Sequence, residues 1–78
     1  MSVPRPHLVE RIFHEGYMLT LAAYPGDDGR FQARVVVTAL GGVRTRSQRF
    51  LDLDWFESAV AAVEHARSEG LAWIQAQG

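Results

Sequence analysis

Five arginines between residues 30 and 49 are the side chains with the clearest capacity for binding chemistry in this sequence. They are Arg30, Arg34, Arg44, Arg46 and Arg49, and no acidic residue interrupts them. A guanidinium group donates hydrogen bonds to phosphate or carboxylate oxygens in a fixed, often bidentate geometry. Phosphate binding is therefore one interpretation of this segment. The exposed side of a β-strand is the other.

The remaining polar residues form no catalytic or metal-binding motif. His7, His14 and His65 lack the spacing of a metal site, and the chain has no cysteine. The glycines fall in hairpin turns and do not lead from a strand into a helix, as a phosphate-binding loop would. One sheet and one helix also leave little room for a pocket of enzyme size. We predict a non-enzyme that binds no cofactor and no metal.

Length and composition point to one small domain. A chain of 78 residues has a marginal core, and the absence of cysteine removes disulfides as a support. Self-association is another way to stabilise such a domain. A formal net charge of −1 disfavours a strongly basic nucleic-acid binder. No apolar run suits a signal peptide or a membrane span, so we expect a cytoplasmic protein without membrane contact.

Alternation and turn residues predict three antiparallel strands. Pro4 and Pro6 place residues 1–10 in an irregular N-terminal arm, and residues 11–78 then form the single domain. The strands extend over about 13–24, 30–40 and 43–51. The segments PGDDG and GG between them are turn signals.

The period of the apolar residues changes after the third strand and predicts one long helix. Asp54 and Glu57 match a capping box at its start. An apolar stripe follows at helical spacing: Phe56, Val60, Val63, Gly70 or Leu71, and Ile74. We expect the helix to continue to about Gln75, with Gly70 inside it where backbone meets sheet; an end at Gly70 is the alternative.

The turns also suggest how the strands pair. A five-residue loop at Pro25–Gly29 would place Ala23 opposite Phe31, and a three-residue loop at residues 40–42 would place Val35 opposite Ser47. One face of the sheet would then collect the residues that meet the helix: Leu19, Leu21, Ala23, Phe31, Ala33, Val35, Val37 and Val43. These elements predict an α+β fold, a β-β-β-α meander packed on one face by the C-terminal helix.

The opposite face of this predicted sheet combines apolar side chains with guanidinium groups and has no carboxylate. Three interpretations remain open. The face is solvated, as is common in antiparallel sheets; it is a homodimer surface through Met18, Val36 and Phe50; or it binds nucleic acid. The candidate nucleic-acid contacts are Arg30, Arg34, Arg44 and Arg46.

A second apolar stripe on the predicted helix adds to the surface available for association. It comprises Trp55, Ala59, Ala62, Ala66 and Trp73. The tryptophans can shield the edge of the core. Alternatively, small alanines between two tryptophans suit close helix–helix contact across a two-fold axis. Together with the small core, this stripe favours a homodimer.

Two long segments carry a family resemblance. YMLTLAAYPGDDGRFQARVVVTALGG and AVAAVEHARSEGLAWI together resemble small bacterial β-β-β-α proteins of the HicB-type antitoxin class, and also uncharacterised dimeric proteins of the same pattern. The resemblance implies the β-β-β-α fold, homo-oligomerisation and binding to another protein. We therefore expect a binding or regulatory domain that acts as a homodimer, with nucleic-acid binding as the alternative.

Overall fold

The computed structural model describes residues 5–41 and 46–77. This part of the chain forms β1 (Leu8–His14), β2 (Tyr17–Pro25), β3 (Phe31–Ala39), β4 (Ser47–Phe50), β5 (Trp55–Phe56) and the helix α1 (Ala59–Gln77). The strands form one antiparallel sheet in the order β1-β2-β3-β4, with β5 also paired to β3. The predicted α+β class, with an antiparallel sheet and one C-terminal helix packed on it, is confirmed.

The N-terminal arm is shorter than predicted because a strand begins at Leu8. All seven residues of β1 pair with β2, from Leu8 opposite Ala23 to His14 opposite Tyr17. Glu15 and Gly16 connect the two strands with φ angles of 48° and 83°. Positive φ at both central residues is the pattern of a type I′ hairpin turn. The single strand predicted from about Phe13 to Tyr24 is therefore two strands that turn at Glu15.

The pairing of β2 with β3 is shifted by two residues from the prediction. Pro25 lies opposite Phe31, so the five-residue loop is 26–30, and Ala23 lies opposite Ala33. Within this loop the Gly26 amide donates to the Arg30 carbonyl at 2.8 Å. An even shift keeps every side chain on its predicted face. The predicted core residues of both strands therefore still face the helix.

The pairing of β3 with β4 differs by three residues, and an odd shift reverses the faces of β4. Val35 lies opposite Phe50, whereas the prediction placed it opposite Ser47. Seven residues connect the two strands, and residues 42–45, including the predicted core residue Val43, lie outside the described part of the chain. Phe50 consequently packs against the core on the helix side.

The predicted capping box at Asp54 is wrong, and the helix begins one turn later. Trp55 and Phe56 pair with β3 as the short strand β5, and the Asp54 carbonyl accepts a hydrogen bond from the Ala33 amide at 3.1 Å. Ser58 caps the helix, since its Oγ accepts a hydrogen bond from the Ala61 amide at 3.1 Å. Ser is as good an N-cap as Asp. A helix that began after Asp54 would include Trp55 and Phe56 and so lose their pairing with β3, whereas a helix that begins after Ser58 keeps it.

The core lies between α1 and one face of the sheet. Its fully buried strand residues come from β2 and β3, and they meet Ala62, Val63, Ala66 and Ile74 of the helix. Gly70 lies inside the helix, as predicted. A Cβ at this position would lie 2.5 Å from Leu19 Cδ2, so the helix backbone approaches the sheet closely there. Val60 of the predicted stripe instead faces away from the core and is 60% exposed.

Candidate functional site

The face of the sheet opposite α1, here called the outer sheet face, is the candidate site. The strand pairings set its residues in four rows across the sheet: Val9–Ala22–Arg34, Arg11–Thr20–Val36–Arg49, Phe13–Met18–Thr38–Ser47 and Tyr24–Gln32–Trp55. None of these positions is Asp or Glu. No helix or strand of the described chain packs over them.

Three large apolar side chains are prominent on the outer sheet face. Phe13 is 71% exposed, Trp55 is 43% exposed and Val9 is 39% exposed. Met18, predicted for this face, lies directly opposite Phe13 and is half-buried. The apolar surface is therefore wider than predicted, because β1 extends it by one strand.

Sequence reasoning missed Val9 because it treated residues 1–10 as irregular, and it missed the place of Phe13 because it continued one strand from about Phe13 through the turn at Glu15. The alternation in LVERIFH, with Leu8 and Ile12 on one side and Val9 and Phe13 on the other, was the available signal. The dipeptide Glu15-Gly16 was a second signal, since glycine at the second position of a two-residue turn favours a hairpin.

Arg34 is held against the sheet by its neighbours on the outer sheet face. Its guanidinium carbon lies 4.0 Å from the centre of the Tyr24 ring, a cation–π contact. Its Nε donates to Gln32 Oε1 at 3.0 Å, and Gln32 Nε2 donates to Asp52 Oδ1 at 3.4 Å. These contacts fix the plane of the guanidinium group and leave its remaining N–H groups available to a ligand.

Three of the four arginines predicted to bind nucleic acid are described by the structure, and these three are not brought together on this face. Arg30 lies in the β2–β3 loop, where its Nε pairs with Asp28 Oδ2 at 2.8 Å. Arg46 is exposed just before β4, and its carbonyl accepts from the Ala39 amide at 2.8 Å. Arg44 lies outside the described residues. Of the three that the structure describes, Arg34 alone occupies the outer sheet face.

Two other arginines lie on the outer sheet face instead. Arg11 on β1 and Arg49 on β4 stand at opposite edges of the row that contains Thr20 and Val36. Neither forms an ion pair with another described residue. The centre of this row is thus neutral, and positive charge borders it on both sides.

The β2–β3 loop forms a small charged depression beside the sheet. This depression has a volume of about 330 Å³ and is lined by Asp27, Asp28, Arg30 and Trp55. The Trp55 ring packs directly on Gly26, where a Cβ would collide with it. The hydrogen bond from the Arg30 side chain, with a second from the Arg30 amide, lowers the pKa of the Asp28 carboxyl below its usual value.

The helix stripe predicted as a dimer surface does not face outward. Ala62 and Ala66 are fully buried against the sheet, so the prediction of these residues as interface contacts is wrong. Ala59 and Trp73 are half-buried and pack on the same core. Small residues let the helix backbone lie close to the sheet, as at Gly70, so the alanine side of the helix faces the core and Val60 faces away from it.

The aromatic residues of the predicted interface also lie in places that differ from the prediction. Phe50 packs on the helix side of the sheet, and Trp55 belongs to β5 rather than to the helix. Trp73 contacts Tyr17 edge to face, with ring centres 6.1 Å apart. Of the eight predicted interface residues, Met18, Val36 and Trp55 are the ones that lie on the outer sheet face.

The histidines are separated in the structure, and each has a local partner. His65 lies 3.6 Å from Glu69, one turn further along α1, and its ring centre lies 4.9 Å from that of Phe56. His14 lies 3.7 Å from Glu15, and the His7 ring is 5.1 Å from Phe31. Within the described residues, no group of three or more histidine or acidic side chains is arranged to hold a metal ion.

Comparison with known proteins leaves the family open. No protein-family model, no curated protein sequence and no solved structure matches this chain. The resemblance to HicB-type antitoxins therefore stays a prediction. In the part of the chain that the structure describes, no helix combines the length and the apolar composition needed to cross a membrane.

Proposed function

We propose that this chain is a small, non-enzymatic binding domain that acts as a homodimer. The observation that carries this proposal is the one-sided core. The fully buried apolar residues of the sheet face α1, whereas the described chain places no element over the outer sheet face with its exposed Phe13 and Val9. A second polypeptide is the simplest cover for such a face.

Binding of single-stranded nucleic acid is the second candidate, and one observation favours it. The outer sheet face carries Arg11, Arg34 and Arg49 together with Phe13, Tyr24 and Trp55, and no strand position on it is acidic. Arginines that hold phosphates and aromatic rings that stack on bases are the elements of single-strand binding surfaces. The near-neutral net charge and the engaged guanidinium of Arg34 favour the homodimer instead.

Sedimentation equilibrium over a hundredfold range of protein concentration tests the proposed function. We expect a reversible monomer–dimer equilibrium, with the average mass rising from one chain toward two. A single-chain mass at every concentration would contradict the homodimer. In that event, titration with a single-stranded oligonucleotide at low salt should quench Trp55 and lose affinity steeply as salt is added. Absence of binding as well would leave neither candidate standing.

A further inference from the structure

We infer that Asp28 is a site of spontaneous aspartate isomerisation and that Arg30 slows this reaction. The Gly29 amide nitrogen forms a bond to Cγ of the Asp28 carboxyl group, and the amide proton and the carboxyl hydroxyl leave as water. The product is a cyclic succinimide. Water then opens the ring at either carbonyl carbon, and in isoaspartate the main chain continues through Cβ and Cγ of this residue. One water leaves and one returns, so no other reactant is needed.

The residue after Asp28 supplies an unhindered nucleophile. Of the four aspartates in the sequence, Asp28 alone precedes a glycine. Glycine has no Cβ beside its amide nitrogen, so ring closure meets less steric hindrance there than at other residues. Gly29 has a φ angle of 80°, and among the described residues no atom beyond its chain neighbours lies within 4 Å of the place where a Cβ would stand. More than half of the Asp28 side chain is exposed, so water can reach the ring.

Arg30 holds both oxygens of the Asp28 carboxylate. Its Nε donates to Oδ2 at 2.8 Å, and its backbone amide donates to Oδ1 at 3.1 Å. These hydrogen bonds, the side-chain one first, lower the pKa of the Asp28 carboxyl below its usual value. A hydroxyl group leaves as water far more readily than an oxygen of a carboxylate does. Because Arg30 favours the carboxylate and fixes its orientation, it reduces the fraction of Asp28 that can close the ring.

The β2–β3 loop would have to change its conformation to accept the product. Isoaspartate adds one atom to the main chain between β2 and β3, where the Gly26 amide closes the loop by donating to the Arg30 carbonyl at 2.8 Å. The carboxylate of the product is attached to Cα, so it leaves the position in which Arg30 holds it. The Trp55 ring packs on Gly26 in the same loop. Isomerisation would therefore alter the small charged depression beside the sheet.

Peptide mapping of stored protein tests both the site and the role of Arg30. Isoaspartate has the mass of aspartate but a different chromatographic retention, and electron-transfer fragmentation locates it in the chain. During storage at neutral pH we expect it at Asp28 and not at Asp27, since the residue after Asp27 carries a side chain. Arg30→Ala should raise the initial rate about two- to fivefold, the factor that corresponds to the loss of an exposed ion pair. Arg30→Lys keeps a positive charge, so its rate should lie between those two.

Asp28→Asn measures whether the loop conformation allows ring closure. Its amide forms the same succinimide with loss of ammonia, and we expect it to react faster than the natural chain because no carboxylate has to be protonated. Near-ultraviolet circular dichroism of the Trp73–Tyr17 contact checks that each variant is folded.

Three outcomes would contradict the inference. If Arg30→Ala isomerises no faster than the natural chain, Arg30 does not slow the reaction. If neither of these chains isomerises, Asp28 is not a site of the reaction, and an Asp28→Asn chain that keeps its amide would attribute this to the loop conformation. Isomerisation of Asp27 to the same extent as Asp28 would show that Gly29 does not select the site.

Discussion

At the scale of single residues, Gly70 decides how closely the helix can lie on the sheet. A Cβ there would stand 2.5 Å from Leu19 Cδ2 and 3.2 Å from Val35 Cγ2, and both of these side chains are fully buried. Glycine inside a helix costs about 1 kcal/mol relative to alanine. The close packing of backbone on sheet offsets that cost, because it lets Ala66 and Ile74 reach the core as well.

Gly70→Ala should lower the free energy of unfolding by about 1–3 kcal/mol, although alanine is the better helix former. The added methyl group has no space unless Leu19 moves. Urea denaturation measures the change. In a double-mutant cycle, Leu19→Ala removes the colliding atom, so Gly70→Ala should cost less in that background than in the natural chain. A Gly70→Ala variant more stable than the natural chain would refute the close contact.

At the scale of elements, two possible N-cap residues, Asp54 and Ser58, compete for the start of the helix. Asp54 with Glu57 satisfies the sequence pattern of a capping box, yet the structure uses Ser58. The reason lies outside the helix, because Trp55 and Phe56 pair with Gln32 and Phe31 on β3. The Arg67–Glu10 ion pair at 2.8 Å then connects the helix to β1, an element that the sequence pattern had not revealed.

Ser58→Ala should therefore cost about 1 kcal/mol of stability, the usual loss when an N-cap hydroxyl is removed. Asp54→Ala is the matched control and should change the free energy of unfolding by less than about 0.5 kcal/mol, since among the described residues Asp54 takes part in a hydrogen bond through its backbone carbonyl alone. Chemical denaturation of both variants gives the comparison. If Asp54→Ala lowered the free energy of unfolding more than Ser58→Ala, the result would indicate that the helix begins at Asp54.

At the scale of the whole molecule, the proposed homodimer would couple stability to association. One face of the sheet buries Leu19, Leu21, Val35 and Val37, and the outer sheet face keeps Phe13 and Val9 in water. A partner that binds only the folded chain stabilises it by mass action. Folding and dimerisation of this chain should consequently be linked.

The melting temperature should therefore rise with protein concentration. For a dimer that unfolds to two chains, a tenfold increase adds about 0.7 kcal/mol per chain, which corresponds to about 3–6 °C for a domain of this size. Differential scanning calorimetry over a hundredfold concentration range measures the shift. Phe13→Arg should reduce this shift, because a weaker dimer contributes less to the stability of the folded chain. A melting temperature that does not depend on protein concentration would contradict the linkage between folding and dimerisation.

The sequence by itself determined the sheet side of the core. Side chains alternate along β2 and β3, so the two-residue difference in register left every one of them on its predicted face. On the helix, Ile74 was sufficient to carry the predicted helix past Gly70, whereas the buried Ala62 and Ala66 had been assigned to an interface. The α+β class and the helix-facing residues of both strands followed from these local periods.

Only the tertiary structure decided the edges of the sheet and therefore the composition of the outer sheet face. β1 is a strand because β2 offers it a partner along seven residues, and β4 takes its register from a seven-residue connection rather than from a tight turn. Pairing between distant segments sets which arginines share a face, so Arg11 and Arg49 lie on the outer sheet face, whereas the predicted Arg46 lies just before β4. Local periodicity cannot specify such pairings, because hydrogen bonds between strands depend on the position of the partner strand and not on the sequence of one strand alone.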